Sequence, residues 1–238
     1  AIGAAALLVL LAAGLYLFAF PNRITVPPGQ TQTVSLPDGS TAELNSSTTL
    51  RYPRGWRINF LQSWLGRSVE LKGEAFFSVA ETGTPFRVET ANAEVRVLGT
   101  RFNVQARRMD GRPETEVVVA EGRVALATGG ATTRLDSAQA ARVQGAGPPS
   151  PRKAVRVDRR LAWRRGGFSF ADASIRAIVA EVERRFDVSI TVRPDVEARP
   201  ITLQISDAKG AEPLLRDLCR AAGCRVKSTT AGFVIQPR

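Results

Sequence analysis

The sequence predicts a mainly β body, a solenoid-like roll or a sandwich, followed by a small α+β domain, with a single transmembrane helix at the N-terminus. Three observations predict this. The first twenty residues, Ala1 to Phe20, carry no charged side chain. Residues 24–143 alternate apolar and polar side chains with period two. After a Pro/Gly-rich stretch, helical periods set between short strands take over. The organisation expected is a transmembrane helix over 1–20, a β domain over 24–143, a linker over 144–160 and an α+β domain over 161–238.

The N-terminal run, AIGAAALLVLLAAGLYLFAF, reaches about 30 Å as a helix, the thickness of a bilayer's hydrocarbon core. Tyr16, Phe18 and Phe20 come late in it, where aromatic rings favour the lipid–water boundary. Pro21 stops the helix because it has no N–H to donate. A cleaved secretory signal fits less well. The run is longer than a signal's apolar core, and FAFPN is a poor cleavage site. The chain begins without Met, and the expectation is a longer protein whose cytoplasmic part precedes Ala1.

Strands follow. Val69 and Leu71, then Ala75, Phe77 and Val79, Phe86 and Val88, Val95 and Val97, Phe102 and Val104, Val117 and Val119, Val124 and Leu126 alternate with polar neighbours. Turns punctuate them at Asp38-Gly39, Gly73, Gly83, Gly99, Asp110-Gly111, Gly122 and Gly129-Gly130. A faint repeat runs through the region: VSLPDGSTAEL, VELKGEAFFSV, VRVLGTRFNV and VVVAEGRVAL. Each reads as a strand, a Gly corner and a strand, unable to bury its apolar face alone. Asp38, Gly39, Gly73, Gly99 and Gly122 are expected to shape turns rather than touch a ligand.

Gln144 to Lys153 carries three prolines and two glycines, which disfavour helix and strand alike. Arg152, Lys153, Arg156, Arg159, Arg160, Arg164 and Arg165 come next, opposed only by Asp158, and read first as a solvated connector and second as a grip for an acidic partner or anionic lipid. Phe168–Phe170 is a short strand. Asp172 is expected to cap a helix from about Ala173 to Phe186, with Ile175, Ile178, Val179, Val182 and Phe186 on one face. Val188–Val192 and Ile201–Ile205 alternate as strands. Pro213 suits the first turn of a second helix, closed by Gly223. Arg225–Lys227 and Phe233–Ile235 end the chain as strands, giving the order β-α-β-β-α-β-β. Cys219 and Cys224 flank Gly223, and a disulfide between them is one expectation, two small buried thiols the other.

Composition excludes several chemistries. The net charge is +11, but only four cations are Lys and the Arg residues are spread along strands, so no nucleic-acid partner is expected. There is no His, which removes the commonest general base, and no phosphate-binding loop motif. No cofactor, metal or catalytic residue is expected. A carboxylate-only hydrolase using Glu74 and Glu114 is a remote alternative. A binding module for cell-wall polymer or glycan, stacking sugars on Trp56 or Trp64, is the runner-up, although both rings read better as core.

SLPDGSTAELNSSTTLRY (Ser35–Tyr52), VELKGEAFFSV (Val69–Val79), PFRVET (Pro85–Thr90), VLGTRFNV (Val97–Val104) and VVVAEGRVAL (Val117–Leu126) resemble, in order and spacing, the FecR family of membrane-anchored anti-sigma regulators of iron-uptake signalling. AWRRGGFSFADASIRAIVAEVERRF (Ala162–Phe186) resembles the family's C-terminal piece, itself similar to the short signalling domain of secretins and TonB-dependent receptors. The resemblance implies a single-pass protein of the bacterial inner membrane with its bulk in the periplasm. It implies that an outer-membrane TonB-dependent transducer is one partner. The other is an extracytoplasmic-function sigma factor, bound through a cytoplasmic segment missing from this chain. Docking of the transducer is expected by strand addition, at an edge containing Ile201, Leu203 and Ile205 or one containing Phe233 and Ile235.

Overall fold

The computed structural model describes residues 14, 21–57, 66–109, 111–196 and 200–238. Among them no helix is long and apolar enough to cross a membrane, and the segment read as a span lies outside them apart from Gly14. The chain divides into two compact units. One holds residues up to Thr25, Gln32–Leu44 and Thr48–Ala154; the other holds Val26–Thr31, Asn45–Ser47 and Val155–Arg238.

The first unit is one continuous sheet. Its strands are β1 (Asn22–Val26), β2 (Gln32–Ser35), β3 (Thr41–Leu44), β4 (Thr48–Tyr52), β5 (Arg67–Ser78), β6 (Phe86–Glu89), β7 (Glu94–Val97), β8 (Arg101–Met109), β9 (Arg112–Glu121), β10 (Arg123–Thr128), β11 (Ala131–Asp136), β12 (Gln139–Gln144) and β13 (Lys153–Ala154). They pair in the order β11-β10-β7-β6-β5-β8-β9-β12-β13, with β4-β1 and β3-β2 branching from β5. β5 is the hinge of this arrangement. Its first half pairs with β4 and β6, at Arg51↔Glu70 and Val69↔Val88. Its second half pairs with β3 and β8, at Ala42↔Phe77 and Phe77↔Phe102.

The sheet therefore curls into two halves that share β5 and face each other across the core. Phe77 of one half lies 5.9 Å, ring to ring, from Phe86 of the other, and 5.4 Å from Phe102. The sequence left roll and sandwich open, and this pairing is a roll. The switch falls at Gly73, at φ 113°, where an added Cβ would sit 2.4 Å from Thr48 Oγ1 and 2.7 Å from Thr48 Cα. Only glycine fits such an approach.

Three of the four repeated segments use their Gly corner to cross from one half to the other: β5 at Gly73, β7 to β8 at Gly99, and β9 to β10 at Gly122. The corners stack. Val79 N donates to Thr100 O at 3.1 Å, and Thr100 Oγ1 donates to Arg123 O at 2.9 Å. Gly122, at φ 91°, lies so close that a Cβ would be 2.9 Å from Thr100 Oγ1. The first repeat differs: its PDGS turn closes the β2–β3 hairpin within one half.

The stretch read as a linker is laid along β12. Ser150 N donates to Arg142 O at 2.7 Å, Arg142 N donates to Ser150 Oγ at 3.0 Å, and Lys153–Ala154 pairs with β12.

The second unit contains α1 (Val157–Arg160), β14 (Phe168–Ala173), α2 (Ile175–Phe186), β15 (Ile190–Val192), β16 (Ile201–Ile205), α3 (Ala211–Ala222), β17 (Cys224–Thr229) and β18 (Gly232–Pro237). From β14 onward this is β-α-β-β-α-β-β. The strands form two sheets, antiparallel β14–β16 and mixed β15–β18–β17. Phe168, Ile178, Val179, Val182, Leu214, Leu215, Leu218 and Ile235 meet in one apolar core.

The cap of α2 is Ser174, whose hydroxyl accepts from Ala177 N at 3.2 Å, rather than Asp172. Asp172 stands at φ 55° in an irregularity of β14, which runs on until Ala173 pairs with Ile201. The strand thus consumes the expected cap, and the next hydroxyl takes its place. Helix α3 ends as its sequence predicts, at Gly223 with φ 73°, whose N–H donates to Cys219 O.

Candidate functional site

The residues expected to offer a strand edge fall into two different environments. Ile201, Leu203 and Ile205 form β16, which pairs with β14 on one side only. Its other edge meets no strand among the described residues. Ile201 is buried, Leu203 and Ile205 are half-buried, and Thr202 and Gln204 are exposed. The strand ITLQI carries no charge and no proline, the two usual means of blunting an edge.

Phe233 and Ile235 lie on β18, and here the expectation is corrected. β18 is the middle strand of its sheet, parallel to β15 at Thr191↔Val234 and antiparallel to β17 at Lys227↔Val234. Both edges are occupied, so no further strand can add there. Ile235 is fully buried, and Phe233 N donates to Ser189 O at 2.9 Å. These two residues belong to the core.

Cys219 and Cys224 are separate thiols, both buried, so the bridge is not formed. Cys219 sits in the last turn of α3 and Cys224 opens β17. Burial, and then the neighbouring Cys224 thiol, push the Cys219 thiol well above its ordinary range. It is a protonated core side chain.

In the first unit the turn residue Asp38 has a partner that sequence reasoning missed. Its carboxylate accepts from Ser40 N at 3.0 Å and Ser40 Oγ at 2.8 Å, closing the turn. It also accepts from Arg67 Nε at 2.8 Å, an ion pair with both side chains buried. Arg67 further donates to Ala80 O at 2.8 Å, Thr84 O at 2.9 Å and Thr82 Oγ1, and its guanidinium lies over the Phe86 ring at 5.5 Å. One cation thus fixes the β2–β3 turn, the loop after β5 and the start of β6. The signal was present: Arg67 precedes Val69 and Leu71 on the inward face of β5.

Asn92 was also missed. Its side-chain amide donates to Pro113 O at 3.1 Å, Val143 O at 3.2 Å and Gly145 O at 3.0 Å, and its oxygen accepts from Thr115 Oγ1 at 2.7 Å. It ties the β9 start to the β12 end.

The alternative sites dissolve into structure. Glu74 accepts from Asn103 Nδ2 at 3.0 Å and pairs with Arg107 at 3.4 Å. Glu114 accepts from Gln144 Nε2 at 2.7 Å and pairs with Arg142 at 3.5 Å. Each carboxylate faces its own cation, an arrangement that holds neighbouring strands together. Trp56 is buried, edge-on to Tyr52 at 5.8 Å and tilted against Phe86 at 6.0 Å, so it cannot stack a sugar. Trp64 lies outside the described residues. Among those residues no three His, Cys, Asp or Glu side chains converge to hold a metal.

The described residues form a roll locked by buried polar contacts, followed by a small α+β unit with an open, neutral strand edge. Comparison with known proteins gives the particular family. The FecR protein model matches residues 22–125, and the FecR C-terminal model matches residues 167–234. The chain belongs to the FecR family. Two crystal structures of a candidate anti-sigma factor from Parabacteroides distasonis ATCC 8503 are similar to it, each at 29% identity. One aligns with a TM-score of 0.81 over 92% of this chain and 100% of that one; the other gives 0.80 over 91% and 99%. No curated protein matches. The chain is accordingly a regulator of the anti-sigma type and not an enzyme.

Proposed function

We propose that this protein relays a signal across the bacterial inner membrane, from an outer-membrane TonB-dependent transducer to an extracytoplasmic-function sigma factor. In this reading the uncharged run from Ala1 to Phe20 anchors the chain in the membrane, the two units lie in the periplasm, and the sigma factor is held on the cytoplasmic side. The α+β unit receives the transducer's periplasmic domain by strand addition along β16. One observation supports this site above the others: β16 is a neutral, alternating strand with one side unpaired, whereas β18 is enclosed. Membership of an anti-sigma family supports the direction of the relay.

The test is site-specific cross-linking in cells with a photoreactive residue at Thr202 or Gln204. The expected product is a covalent adduct with the transducer, lost on introducing Leu203→Pro. Circular dichroism of the purified L203P chain checks that the helices survive. Adducts that form equally well in a folded L203P chain would remove β16 as the docking edge.

A further inference from the structure

The mixed sheet of the second unit has an open edge of the opposite chemical character to β16. β17 pairs with β18 and with nothing beyond it among the described residues. The Thr230–Ala231 turn joins Thr229 to Gly232, so Thr229–Gly232 is the closing, doubly hydrogen-bonded pair. Alternation then bonds Lys227 and Arg225 to β18 and turns the backbone groups of Val226 and Ser228 outward. The pairing of Cys224 with Pro237, which has no N–H to give, fits that phase.

The same alternation sorts the side chains. Cys224 is buried and Val226 stands opposite the fully buried Ile235, so this parity faces the core. Arg225, Lys227 and Thr229 face outward, and all three are exposed. Arg193 follows β15 on the same outer face as Thr191, its N–H donating to Ile235 O at 3.0 Å, and it too is exposed. No Asp or Glu occurs in β15, β17 or β18. Asp187 and Asp195 lie in the turns that flank β15, and neither pairs with these cations.

Two other exposed cations of this unit are matched on their own helix, Arg216 with Glu212 at 2.6 Å and Arg220 with Asp217 at 3.1 Å, whereas Arg176 and Lys209 are scattered singly on its surface. Arg193, Arg225 and Lys227 are matched by no described residue.

We propose that β17 is a second docking edge, one that accepts an extended acidic segment of a partner protein. The outward backbone groups of Val226 and Ser228 would pair with the incoming strand, and its carboxylates would lie against Arg225 and Lys227, while Arg193, about 14 Å away from that strand across the sheet, adds only to the positive field of that face. The cations select the partner. Another copy of this chain would set Arg225 and Lys227 against themselves, and like charges directly opposite one another are destabilising. Successive side chains on one face lie about 7 Å apart, so an acidic residue at every second position meets the row in register. The unit would then hold two partners on two sheets, a neutral strand at β16 and an acidic one at β17. This assignment is independent of the identity of the protein at β16.

The test uses the purified chain and two short fluorescent peptides, one alternating Glu with Val and one alternating Lys with Val. Titration by anisotropy at low salt should show about tenfold tighter binding of the Glu peptide, the sum expected from a few cross-strand charge pairs. Hydrogen exchange should show the amides of Val226 and Ser228 protected by it. The double variant R225E/K227E should reverse the preference. Ser228→Pro places its ring on the solvent side of an edge strand, a position where proline is tolerated, and should abolish binding without altering the charge. Equal affinity for the two peptides, protection at Thr202 and Gln204 instead, or full binding by a folded S228P chain would each overturn the proposal.

Discussion

The two units of this protein treat their polar groups in opposite ways. In the roll, Arg67 is buried and satisfied by Asp38, backbone carbonyls and a ring face, and Asn92 gathers three carbonyls from β9, β12 and the turn that follows β12. In the α+β unit, Arg193, Arg225 and Lys227 stand exposed, and β16 and β17 each leave one side unpaired. The first unit has edge strands and exposed arginines as well, but its distinctive polar groups are buried and hold it together. The second keeps some available. A unit built in the first way resists rearrangement, and one built in the second way is suited to meeting another chain.

The sharpest way to break this comparison is to empty the buried pair. Arg67→Ala leaves the Asp38 carboxylate enclosed without its cation, and removal of one member of such a pair costs about 3–5 kcal/mol. Urea unfolding followed by Trp fluorescence should show the midpoint of the roll fall, the shift multiplied by the m-value giving that amount. If the loss is below about 1 kcal/mol, the pair behaves like a surface contact and the contrast between the units falls. Gly73→Ala comes next. Its Cβ would press on the Thr48 backbone, so the corner must open, at about 1–3 kcal/mol in the same measurement.

Ser174→Ala removes the cap of α2 and should lower the stability of the α+β unit by about 1 kcal/mol, seen as a loss of helical circular dichroism at lower urea. The smallest effect concerns pH. The folded state holds the Cys219 proton more tightly than the unfolded chain does. Stability from this group is therefore complete below the ordinary thiol pKa of about 8.5 and declines as pH rises past it. Thermal melts between neutral and strongly alkaline pH should show that slope, and Cys219→Ala should flatten it. Iodoacetamide should label the native protein slowly at mildly alkaline pH.

Much of the fold was legible because it is written locally. Period-two alternation marked the strands from Val69 to Leu126, and the spacing of Ile175, Ile178, Val179 and Val182 marked the buried face of α2. What was not legible depends on contacts distant in sequence. β18 is enclosed because β15, some forty residues earlier, runs parallel to it, and nothing within Gly232–Pro237 announces that neighbour. The open side of β16 is known only once its single partner, β14, is known. Asp172 had the chemistry of a cap but lost the position because β14 extends to pair with Ile201. Arg67 was overlooked for a different reason: a charge in an inward phase reads as a break in the pattern, when it is the centre of a network.

β5 gives the roll a further property. One strand supplies pairing positions to β3, β4, β6 and β8, so withdrawing it would strip four neighbours of their hydrogen bonds together. A load that reached β5 itself would have to break all four of these seams at the same moment, as one bolt through four plates frees every plate when it shears.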